Sequence, residues 1–126
     1  MSRNNIQAYE IISGIASEVG KRHDVFLQIN FPPGGKILEI EKIGHRDLTI
    51  LVDRSRRTFR VSANQVKDVF AGLKPLKIGP VGFGHEGFKV ELASGRIDCF
   101  PSGIHLWCEI TPEVLPVLDW LFTNAY

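Results

Sequence analysis

The sequence predicts an α+β fold, in which an N-terminal helix is followed by two β-β-β-α units that form a mostly antiparallel sheet or a pair of sheets. Two observations support this class. Short runs of alternating apolar and polar residues, typical of half-buried strands, precede each of two amphipathic stretches with helical spacing. The same order also occurs twice, in the pseudo-repeats 36–73 and 87–124. In each unit a residue with a side-chain hydroxyl, Ser62 or Thr111, immediately precedes the amphipathic stretch.

Size and composition indicate one domain that spans residues 1–126. The chain has 126 residues, of which 44% are hydrophobic and 23% are charged, and a core of this size folds without a disulfide or a metal ion. No apolar run is long enough to cross a membrane, and Met1–Asn5 lacks the apolar region of a signal peptide. We therefore expect a cytoplasmic protein with no membrane partner.

The N-terminal segment is predicted to form a helix and then an edge strand. Apolar residues from Ile6 to Val19 fall on one broad helical face, and Gly20 can end the helix. Residues 25–30 alternate in polarity and can add a strand to the edge of the sheet. The Pro- and Gly-rich run from Phe31 to Gly35 then interrupts the pattern.

The first unit contains three alternating runs and one amphipathic helix. Its strands are predicted over residues 36–41, 48–52 and 58–61. Ser62 is predicted to cap the helix, and Gln65 completes a capping-box pattern three residues later. The buried stripe of this helix is Val66, Val69, Phe70 and Leu73, and Lys74-Pro75 ends it.

A connector rich in Gly and Pro, Leu76 to Glu86, leads to the second unit. Its strands are predicted over residues 88–92, 97–100 and 104–110. Thr111 is predicted to cap the last helix with Pro112 in its first turn, and Pro116 should then remove one helical hydrogen bond. The apolar pattern favours a two- or four-residue turn after Phe100, which places Cys99 opposite Leu106 and Ile97 opposite Cys108.

The residue types that carry chemistry do not converge on one predicted site. Cys99 and Cys108 point into the predicted core and His105 points away from it, whereas zinc ligands must meet at one point. The run from Gly79 to Gly87 lacks a Gly-Lys-Ser/Thr ending and leads into a strand, so it is interpreted as a connector rather than a phosphate loop. We therefore predict buried reduced thiols, no metal, no cofactor and no catalytic residue, which favours a non-enzymatic role.

Charge is distributed unevenly, and its densest feature is a predicted arginine-rich hairpin at residues 53–60. The formal net charge is +1, but residues 36–89 hold eleven Lys or Arg against six Asp or Glu. The isoelectric point of about 7.8 is below the usual range of dedicated nucleic-acid modules, and a solvated turn is the simpler interpretation of the hairpin. The side chains that would contact nucleic-acid phosphates are Arg54, Arg56, Arg57 and Arg60.

Apolar residues outside the predicted core indicate a surface for another protein. Because side chains alternate along a strand, three of these residues lie together on the face of the second unit that is opposite its core. The last helix is apolar nearly all round, which leaves three more outside its inward stripe. Covering by a second subunit and covering by the chain's own first helix and connector both fit this pattern. The predicted partner-binding residues are Phe100, His105 and Trp107 on the sheet, and Leu115, Trp120 and Phe122 on the helix.

The leading hypothesis is a non-enzymatic binding module that acts through protein–protein contact, with itself as a homodimer or with another protein. Nucleic-acid binding through the arginine-rich hairpin is the alternative. A third hypothesis is a small-ligand-binding protein or an enzyme that uses a pocket between the two units.

Overall fold

The structure, a computed structural model, describes residues 3–30, 46–53, 55 and 58–126. Two short 3₁₀ helices, Ala63–Val66 and Ala71–Leu73, lie in the segment between the second and third strands. The other regular elements are helix α1 (Arg3–His23), strands β1 (Phe26–Asn30), β2 (Arg46–Leu51), β3 (Lys77–Pro80), β4 (Phe88–Leu92), β5 (Gly95–Phe100) and β6 (Gly103–Cys108), and helix α2 (Val114–Asn124). Within the described residues, no helix has the length and apolar character needed to cross a membrane.

The six strands form one antiparallel sheet in the order β1-β2-β6-β5-β4-β3. Strands β3 to β6 follow one another as a meander, because each needs only a short connection to an antiparallel neighbour. Strand β6 then pairs with β2, which brings the β1–β2 pair to the same sheet. The α+β class is therefore confirmed, and β1 is the edge strand that the sequence predicts.

The sheet has an inner face that is buried and an outer face that is not covered by α1 or α2. Alternation along each strand produces this division, since neighbouring side chains point to opposite faces. The inner face and both helices contribute to one hydrophobic core. Its sheet residues include Leu48, Ile50, Phe88, Val90, Ile97, Cys99, Ile104, Leu106 and Cys108, and its helix residues include Ile12, Ile15, Val19, Val117, Leu118 and Leu121.

Helix α2 packs on the sheet and against α1, so it is buried on more than one side. Polar contacts hold the two helices together at one end. The carboxylate of Asp119 on α2 accepts a hydrogen bond from the Arg22 guanidinium of α1, and it lies 3.0 Å from Nε2 of His23. This position between the sheet and α1 explains why α2 is apolar nearly all round.

Helix α2 begins two residues later than the sequence predicts. Its N-cap residue is Glu113, so the prediction that Thr111 is the cap is wrong. Thr111 instead belongs to a turn in which its carbonyl accepts the Val114 N–H at 3.1 Å. Because Pro116 is then the third helical residue, its missing N–H falls among those with no intrahelical acceptor, and the expected loss of a hydrogen bond does not occur.

The first unit differs from the second in its last strand and its helix. The prediction of a strand at 58–61 is wrong, because the Arg60 N–H donates to the carbonyl of Ala125 at 2.8 Å rather than to a neighbouring strand. The ring of Phe59 packs edge-on at 5.4 Å against both Phe88 and Tyr126. These contacts tie the segment to the C-terminus and remove it from the sheet.

The helix predicted after Ser62 is replaced by the two 3₁₀ helices. Ser62 still precedes the first of them, and its N–H donates to Oε1 of Gln65 at 2.7 Å, which is one half of the capping box. Val66 and Phe70 are buried, as the apolar stripe predicts. The first predicted strand, 36–41, lies outside the described residues, so the pseudo-repeats 36–73 and 87–124 stay a prediction.

Strand β3 lies in the segment that the sequence assigns to a connector. It pairs with β4 at the sheet edge opposite β1 and ends at Pro80. Proline is tolerated at a strand end and on an edge, where its missing N–H breaks no ladder hydrogen bond. The glycine and proline content of the segment therefore masked a short edge strand.

We predict that Gly95→Ala lowers the free energy of unfolding by about 2 kcal/mol, the scale of a strained backbone conformation. Gly95 has a φ of 151°, and a Cβ there would lie 1.9 Å from the carbonyl oxygen of Trp107 on β6. Chemical denaturation of the purified protein measures the change. The matched control is Gly79→Ala on edge strand β3, where an added Cβ meets no atom within 4 Å. Equal stabilities of the two variants would contradict the close approach of β5 and β6.

Candidate functional site

The outer face of the sheet is the candidate site, and strand register arranges its side chains in rows. A middle row runs from β1 to β4, and neighbouring rows lie on either side of it. The middle row is Gln28, Thr49, His105, Asp98 and Lys89, each directly opposite the next. The row on one side is Phe26, Leu51, Gly103 and Phe100. The row on the other side includes Trp107, Arg96, Glu91 and Lys77.

Three aromatic rings form a contiguous group across these rows, which we call the aromatic group: Phe100, His105 and Trp107. The ring of Phe100 meets His105 edge-on, with centroids 5.7 Å apart. The ring of His105 in turn stacks on Trp107 at 6.4 Å with an interplanar angle of 16°. Both arrangements are favourable aromatic geometries, so each ring restricts the motion of the next.

Arg96 extends the aromatic group on β5. Its guanidinium carbon lies 5.3 Å from the centroid of Trp107, within the range of a cation–π contact. Its Nε donates to Oδ2 of Asp98 at 3.1 Å, and this carboxylate holds the guanidinium beside the indole. The indole Nε1–H of Trp107 is buried and has no hydrogen-bond acceptor within the described part of the chain.

An apolar row lies beside the aromatic group: Phe26, Leu51, Gly103 and Phe100. Phe26 is 68% exposed and Leu51 is 37% exposed, although both are large and apolar. Gly103, between Leu51 and Phe100, is buried and contributes no side chain to the row. Phe26 and Leu51 are not among the residues predicted to bind a partner. The alternation of residues 25–30 contained the signal for Phe26, since Leu27 faces α1 and Phe26 must face the other way.

Ion pairs border this apolar and aromatic region toward β3. Lys89 and Glu91 lie 3.6 Å apart on β4, and Arg96 pairs with Asp98 on β5. Most of these groups are partly solvated, so the pairs contribute little to stability. An apolar centre beside a polar border is the usual composition of a protein–protein interface.

The structure brings together the three sheet residues predicted to bind a partner, but the register differs from the prediction by two residues. Cys99 lies opposite Ile104, and Ile97 lies opposite Leu106, because the β5–β6 turn contains only Pro101 and Ser102. A shift of two residues keeps every side chain on its predicted face. His105 therefore lies diagonally from Phe100 and still contacts its ring.

The three helix residues predicted to bind a partner do not join this surface, because α2 lies on the inner side of the sheet. Phe122 is only 3% exposed, with His23 of α1 and Tyr126 covering its ring at 5.4 Å and 5.2 Å. Leu115 and Trp120 are half-buried against the rim of the core. The chain therefore covers most of α2 itself, and of the two ways of covering Phe122 that the sequence allows, the structure shows the one by the chain's own residues.

The arginine-rich hairpin is described only in part. Arg54, Arg56 and Arg57 lie outside the described residues, so their role in the nucleic-acid alternative stays a prediction. The side chain of Arg60 is exposed, while its backbone is held against the C-terminus.

A second exposed aromatic residue lies away from the outer face. Phe83, at the tip of the connection between β3 and β4, is fully exposed and has a φ of 55°. Gly82 and Gly84 on either side also have positive φ values, at 90° and 73°. The glycines permit the tight turn, and Phe83 is not among the site residues predicted from the sequence.

Both cysteines are buried free thiols on the inner face, as predicted. Burial raises the pKa of the Cys108 thiol to about 12, and the charge of Glu109 adds to the effect. Burial and then the charge of Asp98 raise the pKa of Cys99 further above its ordinary value. Among the described residues, no group of three or more His, Cys, Asp or Glu is placed to hold a metal ion. Neutral buried thiols of this kind act as small apolar side chains.

No family model, no curated protein and no solved structure matches this chain.

We predict that the protein loses stability as the pH rises above about 9, the ordinary pKa of a cysteine thiol. The unfolded chain releases thiol protons there, whereas the folded chain retains them because burial raises the pKa values of Cys99, Cys108 and Tyr126. Each retained proton contributes a slope of about 1.4 kcal/mol per pH unit once the unfolded group has ionised. Urea denaturation from pH 7 to pH 11 measures it, with Cys108→Ala expected to show a smaller slope. A constant free energy of unfolding over this range would contradict the buried positions of the three groups.

Proposed function

We propose that this protein is a non-enzymatic cytoplasmic binding module that acts through protein–protein contact, and that the outer face of the sheet is its contact surface. The observation that carries the proposal is the adjacency of the exposed Phe26 and Leu51 to the aromatic group, on a face that neither α1 nor α2 covers. Leaving a large apolar side chain in water forgoes about 1.5–3 kcal/mol, so Phe26 and Leu51 favour a partner that covers them.

The residue types of the surface match those that dominate binding energy in protein interfaces. Tryptophan and arginine are the most frequent hot-spot residues, and they act best near the centre of a contact. Here Arg96 lies over Trp107 and is held by Asp98, so both side chains are ordered before a partner arrives. Ordering in advance lowers the entropy cost of association.

The middle row also holds a hydroxyl, an imidazole and a carboxylate, which is the composition of a catalytic triad. Catalysis requires hydrogen bonds that run from Thr49 to His105 to Asp98. Instead, Asp98 binds Arg96, and the ring of His105 lies between two other rings. These contacts favour a recognition surface over an enzyme, and a ligand pocket between the two predicted units stays an untested hypothesis.

Nucleic-acid binding has one observation in its favour. Aromatic side chains on an open sheet, with an arginine beside them, can stack on unpaired bases. The charges of the described outer face are nearly balanced, however, because Glu91 and Asp98 offset Lys89 and Arg96. A phosphate-binding surface requires an excess of positive charge, so we favour a protein partner.

The proposed function predicts site-specific crosslinking. A photoreactive phenylalanine analogue at position 26 should form adducts with a defined protein, either this chain or another. Excess unlabelled protein should compete for those adducts, whereas an excess of Leu51→Glu should not, because a charge at position 51 disrupts the apolar row. Mass spectrometry of the adducts from living cells identifies the partner.

The matched control carries the same analogue at position 83, where the phenylalanine is more exposed than Phe26 and lies in the connection between β3 and β4. Identical adducts from positions 26 and 83, or competition by Leu51→Glu equal to that of the unaltered protein, would refute the surface. Adducts at position 26 with nucleic acid alone would instead support the alternative.

A further inference from the structure

We infer that Arg96 on the outer face is the receptor for a single carboxylate group of the protein partner, which its two Nη groups bind side by side. This inference rests on the proposed function and names the chemistry of the partner at one position, a carboxylate next to apolar side chains. Its basis is the way in which Trp107 and Asp98 orient the guanidinium and leave one edge of it open.

Two contacts on different parts of the guanidinium determine its orientation. Its carbon lies 5.3 Å from the ring centroid of Trp107, and Nε donates to Oδ2 of Asp98 at 3.1 Å. Because a guanidinium is planar and rigid, these contacts restrict where the two Nη groups can point. Both neighbours are themselves held in place, since Trp107 stacks on His105 and the side chain of Asp98 is only 13% exposed.

The Nη edge of Arg96 is available to a partner. Within the described part of the chain, the Arg96 side chain donates a hydrogen bond through Nε alone, and it is 50% exposed. Most N–H donors of a guanidinium belong to its two Nη groups, and their parallel N–H bonds match the two oxygens of a carboxylate. The open edge therefore suits a bidentate carboxylate, while Asp98 occupies Nε.

The protein's own nearest carboxylate on the neighbouring strand does not occupy this edge. Glu91 lies directly opposite Arg96 on β4, yet no ion pair joins these two described residues. Instead, Oε1 of Glu91 lies 3.6 Å from Nζ of Lys89, and Lys77 is opposite Glu91 on β3. Because the surrounding charges offset one another, the site suits one carboxylate rather than a run of phosphates.

The aromatic group beside Arg96 specifies what accompanies the carboxylate. Its three rings contact one another in a continuous line. The exposed Phe26 and Leu51 extend the apolar surface toward β1. A charged hydrogen bond is strongest where neighbouring contacts exclude water, which is the usual arrangement around an arginine hot spot. The complementary partner segment thus carries an acidic group among apolar or aromatic side chains.

Small carboxylates test the receptor without the partner. Phenylacetate has a carboxylate next to a ring, and phenylacetamide is its neutral analogue of similar shape. We expect the unaltered protein to bind phenylacetate at least about fivefold more tightly, because hydrogen bonds between charged groups are stronger than neutral ones. Titrations followed by NMR measure both affinities. The guanidinium signals of Arg96 should shift with phenylacetate and not with phenylacetamide, a result that needs no variant.

Variants of Arg96 separate paired hydrogen bonds from charge alone. Arg96→Lys keeps the positive charge but loses the parallel donors, so the preference for phenylacetate should fall to about twofold or less. Arg96→Gln removes the charge and should abolish the preference. The matched control is Arg60→Lys, which makes the same change at an exposed arginine whose backbone is bonded to Ala125, and it should keep the full preference.

The photoreactive analogue at position 26 tests the same residue with the partner itself. Adding Arg96→Gln to the labelled protein should lower the yield of protein adducts at least about fivefold, because the partner's carboxylate then loses its charged donors. Adding Arg60→Lys should leave the yield unchanged.

The outcomes separate this inference from the proposed function. Loss of the phenylacetate preference in Arg96→Lys, together with fewer adducts in Arg96→Gln, supports the inference. Equal binding of the two probes by the unaltered protein, or a full preference in Arg96→Gln, would overturn it. An unchanged adduct yield in Arg96→Gln would overturn it and leave the proposed contact surface intact. A preference that depends on Arg96, without protein adducts at position 26, would refute the proposed function and support the carboxylate receptor.

Discussion

Strand β6 lies hydrogen-bonded between β2 and β5, and the rest of the sheet depends on this position. It joins the β1–β2 pair to the meander of β3 to β6, although β2 and β6 are separated by about half of the chain. Glycine makes both contacts of β6 possible. A Cβ at Gly95 would strike the Trp107 carbonyl of β6, and one at Gly103 in β6 would lie 2.1 Å from the Ile50 carbonyl of β2. The ladder on each side of the central strand therefore needs a residue without a side chain.

The two-residue turn before β6 decides which side chains of β6 are buried in the core and which lie on the outer face. It sends Ile104, Leu106 and Cys108 to the core, and it sends His105 and Trp107 to the outer face. An insertion of one residue would exchange these two sets. The Cys108 thiol would then meet solvent, and the rings of His105 and Trp107 would enter the core, while Cys99 and Phe100 on β5 would keep their faces. The burial of Cys108 and the outer position of the two rings are thus two results of one register.

The chain covers its own helices, so the sheet rather than α2 presents the surface for a partner. An apolar helix in a small domain suggests a missing partner, but α1 and the C-terminal Tyr126 supply the cover within the same chain. The hydroxyl of Tyr126 also donates to the carbonyl of Phe100 at 2.7 Å, and this bond ties the C-terminus to the end of β5. With the inner side closed, the exposed Phe26 and Leu51 beside the aromatic group form the surface that still favours a partner.

The sequence by itself determined the α+β class, the faces that the residues of β1, β2, β4, β5 and β6 occupy, the burial of Cys99 and Cys108, and the gathering of Phe100, His105 and Trp107. These features follow from alternation along a strand, which is a local property with a period of two residues. Only the tertiary structure decided that β2 pairs with β6, that Phe59 joins the C-terminus instead of a strand, and that α1 covers Phe122. Each of these depends on residues far apart in the chain, whose pairing is set by the free energy of competing contacts rather than by a local pattern.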